Sequence, residues 1–296
     1  RARSAEIALT FDDLPALTLF NDQAYVTALN KALLRGLQRH HIPATGFVNE
    51  GKVDEIERPR QIAVLRSWIE AGMELGNHTY SHDSPNSLTA RQYTADIARG
   101  EPVIKALLAR RHRRLVWFRP PFLETGNNDA EKREIDRWLA EHDYRMAPVT
   151  IDASDWEFSE PYDDAIARHD KVRQQQIRDA YLAYITASIR WSRGAAHALF
   201  GRDIAHVMML HATRINADSI DLLARVLRRE GLKPVTLAKA MQDPAYRTRD
   251  PYVGKEGIGW LERWGQELHK SLPWDSYPNV PAEIDVAYDR VDNDRH

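Results

Sequence analysis

Short apolar runs alternate with longer runs of helical spacing through the first 240 or so residues of the chain. Residues 6–11 form an apolar run that ends at Asp12-Asp13. Residues 25–40 then place Val26, Leu29, Leu33, Leu34 and Leu37 at the spacing of one helix face. Residues 42–49 predict a strand, 60–71 a helix stopped by Gly72, and 73–76 a short strand leading into His78. The spacing predicts a helix over 88–109 with Thr89 as N-cap, a strand over 115–118 ended by Pro120-Pro121, and a helix over 130–142. Residues 144–151 read as a strand running into Asp152, and 204–210 as a strand running into His211. A helix over 219–230 and a last strand over 233–236 follow.

Strands that alternate with helices imply βα units and parallel pairing, and such folds gather chemistry at the C-terminal ends of their strands. The expected fold is α/β: a distorted or incomplete (β/α) barrel of parallel strands. Residues 1–242 form its catalytic domain, with a helical insertion at about 157–203. Residues 243–296 hold several Pro, Trp and Tyr residues without a clear period. They read as an irregular C-terminal extension packed on the barrel, with a disordered end after Asp285.

Composition narrows the classes. The 296 residues carry 41 Lys plus Arg against 43 Asp plus Glu, a net charge of −2, which argues against a dedicated nucleic-acid binder. There is no cysteine, so disulfides, thiolate nucleophiles and Cys-based zinc sites are excluded. No apolar run reaches the roughly 20 residues needed to span a bilayer. The first residue is Arg1, not Met, which leaves room for a removed leader.

Two elements point to a metal. His78-Thr-Tyr-Ser-His82 sets two imidazoles four residues apart, on one face if the segment is a helical turn. In a chain with 12 histidines such a pair arises readily by chance. Asp12-Asp13, past a strand, places two repelling carboxylates side by side; alone, the pair is an ordinary turn or N-cap. Together the two elements give one carboxylate and two imidazoles, the donor set of a catalytic zinc with its fourth position open. One aspartate then holds the ion while its neighbour faces the water that needs a base.

The chain resembles the polysaccharide deacetylases, the NodB-homology group also called carbohydrate esterase family 4. Five short motifs carry the resemblance, in order: Thr10-Phe11-Asp12-Asp13; His78-Thr79-Tyr80-Ser81-His82; Arg119-Pro120-Pro121-Phe122; Asp152-Ala153-Ser154-Asp155-Trp156; and Leu210-His211. Each follows a predicted strand, and the likeness extends to about residue 240.

The resemblance implies a role for each position. Asp12 is the catalytic base, and Asp13, His78 and His82 hold one divalent ion. Zinc is expected there, and cobalt or nickel suits the same donors. Arg119 pairs with Asp12, and the backbone N–H of Phe122 helps stabilise the oxyanion while its ring lines the groove. His211 is the general acid and Asp152 its carboxylate partner; Trp156 and Leu210 wall the acetyl pocket. Two positions depart from the family pattern: Leu14-Pro15 stands where Gly is common, and Phe122 where Tyr is frequent.

The implied activity is removal of acetyl groups from N-acetylglucosamine units of chitin oligomers, peptidoglycan or another bacterial polysaccharide. A carbohydrate is the expected partner, and such a substrate favours the periplasm or exterior over the cytoplasm. Three alternatives use the same cleft: an O-acetyl esterase on a polysaccharide such as acetyl-xylan, a catalytically silent carbohydrate-binding protein, and a small-molecule amidase capped by the inserted segments.

Overall fold

The computed structural model describes residues 5–292. Its order is β1 (Ala5–Leu14), α1 (Gln23–Arg39), β2 (Ala44–Val48), α2 (Arg58–Glu70), β3 (Glu74–Asn77), α3 (Ala90–Arg99), α4 (Pro102–Ala109), β4 (Trp117–Phe118), α5 (Asp129–Glu141), β5 (Arg145–Met146) and β6 (Ile151–Asp152). It continues with α6 (Asp155–Ala167), α7 (Lys171–Phe200), β7 (His206–His211), α8 (Arg214–Arg229), β8 (Leu232–Pro234), α9 (Leu237–Ala240), α10 (Trp260–Leu268) and α11 (Ala282–Val291). Among the described residues no helix is long and apolar enough to cross a membrane.

Every strand pairing is parallel, in the order β5-β4-β3-β2-β1-β7-β6, with β8 joined to the start of β1. The sheet curls. Its two ends, β5 and β6, are joined by only four residues, 147–150. Ala147 N–H bonds the Phe118 carbonyl on one side, and Thr150 N–H bonds the Val207 carbonyl on the other. This is the expected distorted (β/α) barrel, with an open seam where β5 and β6 do not pair.

Alternation along the strands separates two cores. On β1, Ile7, Leu9 and Phe11 point outward into the layer under the helices, with Leu29, Leu33 and Leu37 of α1. Ala8 points inward, with Phe47, Trp117 and Val207, and plugs the barrel beneath its C-terminal mouth.

Several expectations change. The helix predicted over 88–109 is two helices: α3 ends at Gly100, and Pro102 opens α4 at a position where its missing N–H costs nothing. The buried Glu50 carboxylate accepts the next two N–H groups, of Val103 and Ile104. Thr89 caps α3 as expected, in a capping box with Gln92. The strand predicted over 144–151 is β5 and β6, on opposite edges of the sheet, because the chain crosses the seam between them. The insertion is the pair α6 and α7, which packs on α8 and is continuous with the barrel.

The extension is less irregular than its sequence suggests. Trp260, Leu261 and Trp264 of α10 bury themselves against Ala195, Ala196 and Leu199 of α7. Helix α11 lies on α6 and covers much of the stretch expected to be disordered after Asp285; residues 293–296 fall outside the described residues. Between them and the barrel runs a strap, residues 250–259. Asn86 holds it through the carbonyls of Gly254 and Lys255, Arg263 ties Asp250 to the Leu123 carbonyl, and Trp260 N–H bonds the Val149 carbonyl.

Gly257 is where the strap meets the barrel mouth. A Cβ there would lie 1.8 Å from the Phe122 carbonyl oxygen and 2.6 Å from the Leu123 carbonyl carbon, both backbone atoms that cannot swing aside. Gly257→Ala should therefore unseat the strap and cost about 1–3 kcal/mol, the usual toll of overpacking. Calorimetry should show a lower Tm, and limited proteolysis should open new cuts within 250–259. An unchanged Tm with no new cuts would refute this seating.

Candidate active site

The five motifs meet at the C-terminal mouth of the barrel, around a cleft of about 600 Å³. Adjacent residues of a strand normally point to opposite faces, yet Asp12 and Asp13 both line this cleft. The register of β1 against β2 slips between Phe11 and Leu14, and Asp13 adopts φ 61°. This bulge turns the second carboxylate back toward the first, a recurrent device beside active sites.

His78 and His82 do not share a helical turn. Residues 78–82 form an irregular loop after β3, with positive φ at Thr79 (68°) and His82 (64°). The loop is pinned on all sides. Asn77 Oδ1 accepts from Thr79 N–H, Asn49 donates to the His78 carbonyl, and Asp96 accepts from Ser81. His78 Nδ1 lies 2.7 Å from the Arg119 carbonyl oxygen, so it carries the proton and leaves the Nε2 lone pair free to bind an ion.

Asp13 Oδ1 lies 3.5 Å from His78 Nε2 and 3.3 Å from His82 Nε2. Two atoms each about 2.0–2.1 Å from a tetrahedral ion lie roughly 3.3–3.4 Å apart. Asp13 Oδ1 is buried and takes part in no hydrogen bond. Burial pushes Asp13 up, but His82, Lys52, His211 and His78 outweigh it and hold the carboxyl well below its usual range. Burial pushes His82 down to about 3, against the pull of Asp13. A carboxylate and two imidazoles at these separations fit a divalent ion; among the described residues this is the one such cluster.

Asp12 is held apart from that trio by Arg119. The wholly buried guanidinium donates from Nη1 to Asp12 Oδ1 at 2.8 Å and to Thr10 Oγ1 at 2.7 Å. Its Nε and Nη2 bond the carbonyls of Ala147 and Pro148 at 3.3 Å, and its plane rests 4.5 Å above the Phe47 ring. The other oxygen of Asp12, Oδ2, lies on the side of His78, 3.8 Å from Nε2.

His211 has a different carboxylate partner from the one expected. Asp155, not Asp152, accepts from its Nδ1 at 2.7 Å, and also takes the His211 backbone N–H and the amide of Asn216. Asp152 instead accepts the N–H of Ser154, and burial with the neighbouring Asp155 and Asp12 pushes it up. Both aspartates stand in the fourth motif. Only the turn at Ser154, φ 44°, which opens α6 at Asp155, decides which of them reaches the histidine. Burial lowers the His211 pKa, but the charge and hydrogen bond of Asp155 outweigh it and, with Asp13 and Asp12, raise it to about 10.

Of the remaining residues, Phe122 and Trp156 line the cleft. The Phe122 ring lies 4.7 Å from that of His82, and Trp156 meets Tyr288 of α11 edge to face at 5.2 Å. Leu210 does not line it. It points outward into the core under the helices, while Met209 and His211, on the opposite face of β7, point inward. Sequence reasoning also missed Lys52, Gly257 and Tyr288, which line the cleft from segments that carry no motif.

Since Asp155 holds the His211 proton, Asp155→Asn should bring the His211 pKa down from about 10, and the imidazolium should be lost at lower pH. Because the folded-state value is raised, the stabilisation from this pair is complete below the ordinary 6.5 and is lost as pH rises through about 10. Histidine NMR titration of metal-free protein reads the shift. A larger drop in Asp152→Asn than in Asp155→Asn would restore the partner that the motif suggested.

Comparison with known proteins agrees with this fold. Residues 1–145 match the family described as polysaccharide deacetylase. A peptidoglycan-N-acetylglucosamine deacetylase of Bacillus cereus is 25% identical over 152 residues, 51% of this chain and 46% of that protein, so the match spans about half the length of that relative. Among solved structures, a family 4 carbohydrate esterase from Streptomyces lividans, in complex with acetate, superposes with a TM-score of 0.53 at 18% identity, covering 81% of this chain and 97% of that one. A family 4 pseudoenzyme from Bacillus anthracis superposes with a TM-score of 0.56 at 16% identity, covering 81% and 66%. At these identities the structural likeness speaks for the fold, and the family match together with the five motifs speaks for descent. The family match covers residues 1–145, and with the fold it supports a polysaccharide deacetylase domain of the NodB-homology, carbohydrate esterase family 4 type.

Proposed function

We propose that this protein hydrolyses the acetamide of N-acetylglucosamine units in a polysaccharide or its oligomers and releases acetate. The observation that carries the reading is the division of labour between adjacent carboxylates: Asp13 stands with His78 and His82, whereas Asp12 is clamped by Arg119 and faces the same cleft as His211.

Asp13, His78 and His82 would hold the divalent ion, zinc by its donor set, which when bound supplies Lewis acidity to the acetyl oxygen and acidifies water. The chain's own residues do the rest. Arg119 occupies Asp12 Oδ1, which leaves Oδ2 to take a proton as water attacks the acetyl carbon. The Phe122 N–H supplies a donor to the carbonyl oxygen as it gains charge. Trp156 and Met209 shape the apolar space that the methyl group needs. His211, kept protonated by Asp155, gives its proton to the nitrogen as the C–N bond breaks. An amine leaves poorly without that proton and an alkoxide needs it less, so a strongly charged His211 favours amide over ester substrates. Acetate release from N-acetylglucosamine oligomers and acetylated xylan, assayed side by side on metal-loaded protein, tests the choice; preference for xylan would overturn it.

The residue roles make two further expectations. Elemental analysis should find one ion per chain in the wild type and a loss of stoichiometric binding in Asp13→Ala combined with His78→Ala. Retained binding would remove these residues from the metal site. Asp12→Asn should keep the metal and lose about 10²–10⁴-fold in kcat. His211→Ala should lose far more on the acetamide than on an activated acetyl ester, and equal losses would make His211 a packing residue.

A further inference from the structure

Behind His211, three helices contribute one side chain each to a buried chain of hydrogen bonds, and two of the three side chains lie outside the five motifs. Asp155 of α6 binds His211 directly. Asn216 of α8 and Tyr181 of α7 stand behind it, 3% and 1% exposed, and neither lines the cleft. The Tyr181 hydroxyl donates to Asn216 Oδ1. Asn216 Nδ2 donates to Asp155 Oδ2 at 2.6 Å and to the His211 carbonyl at 2.8 Å. Asp155 also accepts from the His211 backbone N–H at 2.6 Å and from its Nδ1 at 2.7 Å.

What each group can do fixes the direction of these bonds. The Asp155 carboxylate and the His211 carbonyl both offer lone pairs, so the amide must turn its nitrogen toward them and its oxygen toward Tyr181. That buried oxygen needs a donor. Burial and the Asp155 charge push the Tyr181 phenol well above its ordinary value, so it keeps the proton that it donates. Helix α8 does not need this side chain for its own start. Asn216 is its third residue, where Glu or Gln commonly reaches back to close a capping box. Thr213 caps the helix through the Asn216 backbone N–H at 3.3 Å, while the amide turns away to Asp155.

We infer that Asn216 and Tyr181 are positioning residues for His211, which act through Asp155 to hold the imidazole so that its Nε2 faces the leaving nitrogen. The inference rests on the deacetylase reading of the cleft and makes the helical insertion part of its acid side. With Nδ1 on Asp155, Nε2 is the ring nitrogen left for the cleft that His211 lines. A carboxylate bonded through one oxygen can swing; three donors on two oxygens leave it one orientation. The charged groups around the ring are Asp155 of α6, Asp12 and Asp13 of β1 and Asp152 of β6. Asn216 and Tyr181 add no charge to that set, so they act through geometry.

The test compares metal-loaded wild type, Asn216→Leu and Tyr181→Phe on an N-acetylglucosamine oligomer and on 4-nitrophenyl acetate. An amine needs the His211 proton to leave and a nitrophenolate does not, so only the oligomer reads the acid side. Asn216→Leu should lose about 10–100-fold in kcat on the oligomer, with KM within about twofold. Tyr181→Phe, which deletes one hydroxyl, should lose about fivefold, the worth of one hydrogen bond. Both should lose far less on the ester. Asn216→Asp keeps the shape but turns an acceptor toward Asp155, and should fall at least as far as the leucine variant. Proton NMR of metal-free protein reads the same positioning without turnover: the His211 Nδ1–H should exchange faster with water in Asn216→Leu and Tyr181→Phe. Tyr181→Phe keeps the ring and its packing, and so covers the case in which the Asn216 variants fold poorly. Equal losses on both substrates, or an oligomer rate and an Nδ1–H signal both unchanged, would overturn the positioning role and leave the deacetylase reading in place. If the wild type released no acetate from the oligomer, the deacetylase reading would fall, and the Nδ1–H signal would decide the positioning role by itself.

Discussion

Arg119 carries a full charge at zero exposure, and its bonds reach several parts of the barrel mouth. The guanidinium joins Thr10 and Asp12 on β1 to the carbonyls of Ala147 and Pro148 in the seam, and its own carbonyl orients His78. Strands β4 and β1 are not neighbours in the sheet, so this link crosses the interior. A buried ion pair adds little net stability, but removing one partner strands the other charge, at roughly 3–5 kcal/mol. Once Arg119 is present, Asp12, the seam and the first imidazole are therefore all constrained together. The Phe47 ring beneath it closes the barrel and keeps water from the guanidinium.

On that platform the site needs two departures from regular structure. The bulge at Asp13 brings adjacent carboxylates to one face, and the left-handed residues Thr79 and His82 turn the loop so that two imidazoles converge. Neither conformation is favoured locally. The loop persists because side chains on three sides, the buried Asn49 and Asn77 and the partly exposed Asp96, fix its backbone. The result separates like charges by function, with Asp13 beside imidazoles, Asp12 beside a guanidinium and Asp155 beside His211.

The segments added to the barrel do more than cover it. Helix α7 and the strap meet the same Leu123 and Asp152 that border the cleft, and α11 contributes Tyr288 against Trp156. The lining of the cleft is thus completed by residues such as Lys52, Gly257 and Tyr288, from parts of the chain that carry none of the five motifs.

Much of this was legible in the sequence. Periodicity gave the βα alternation and hence parallel strands, and the five motifs named Asp12, Asp13, His78, His82, Arg119 and His211, because chemistry of this kind demands particular side chains at strand ends. Local pattern also placed the Thr89 cap. It did not show that residues 144–151 cross the seam, since a curled sheet's two edges have no signature along the chain. The family resemblance placed Leu210 in the cleft where Met209 lies, and it paired His211 with Asp152. Choosing between neighbours on a strand, or between two carboxylates three residues apart, depends on which face the strand turns inward and on the single left-handed residue Ser154. The irregular tail became two helices and a strap because its Trp and Tyr residues find partners on α6 and α7, far off in sequence. The sequence by itself determined which chemical groups the protein would use. Which of them touch was decided by tertiary structure, because the contact of Arg119 with Asp12 alone spans 107 residues and arises only when the sheet closes.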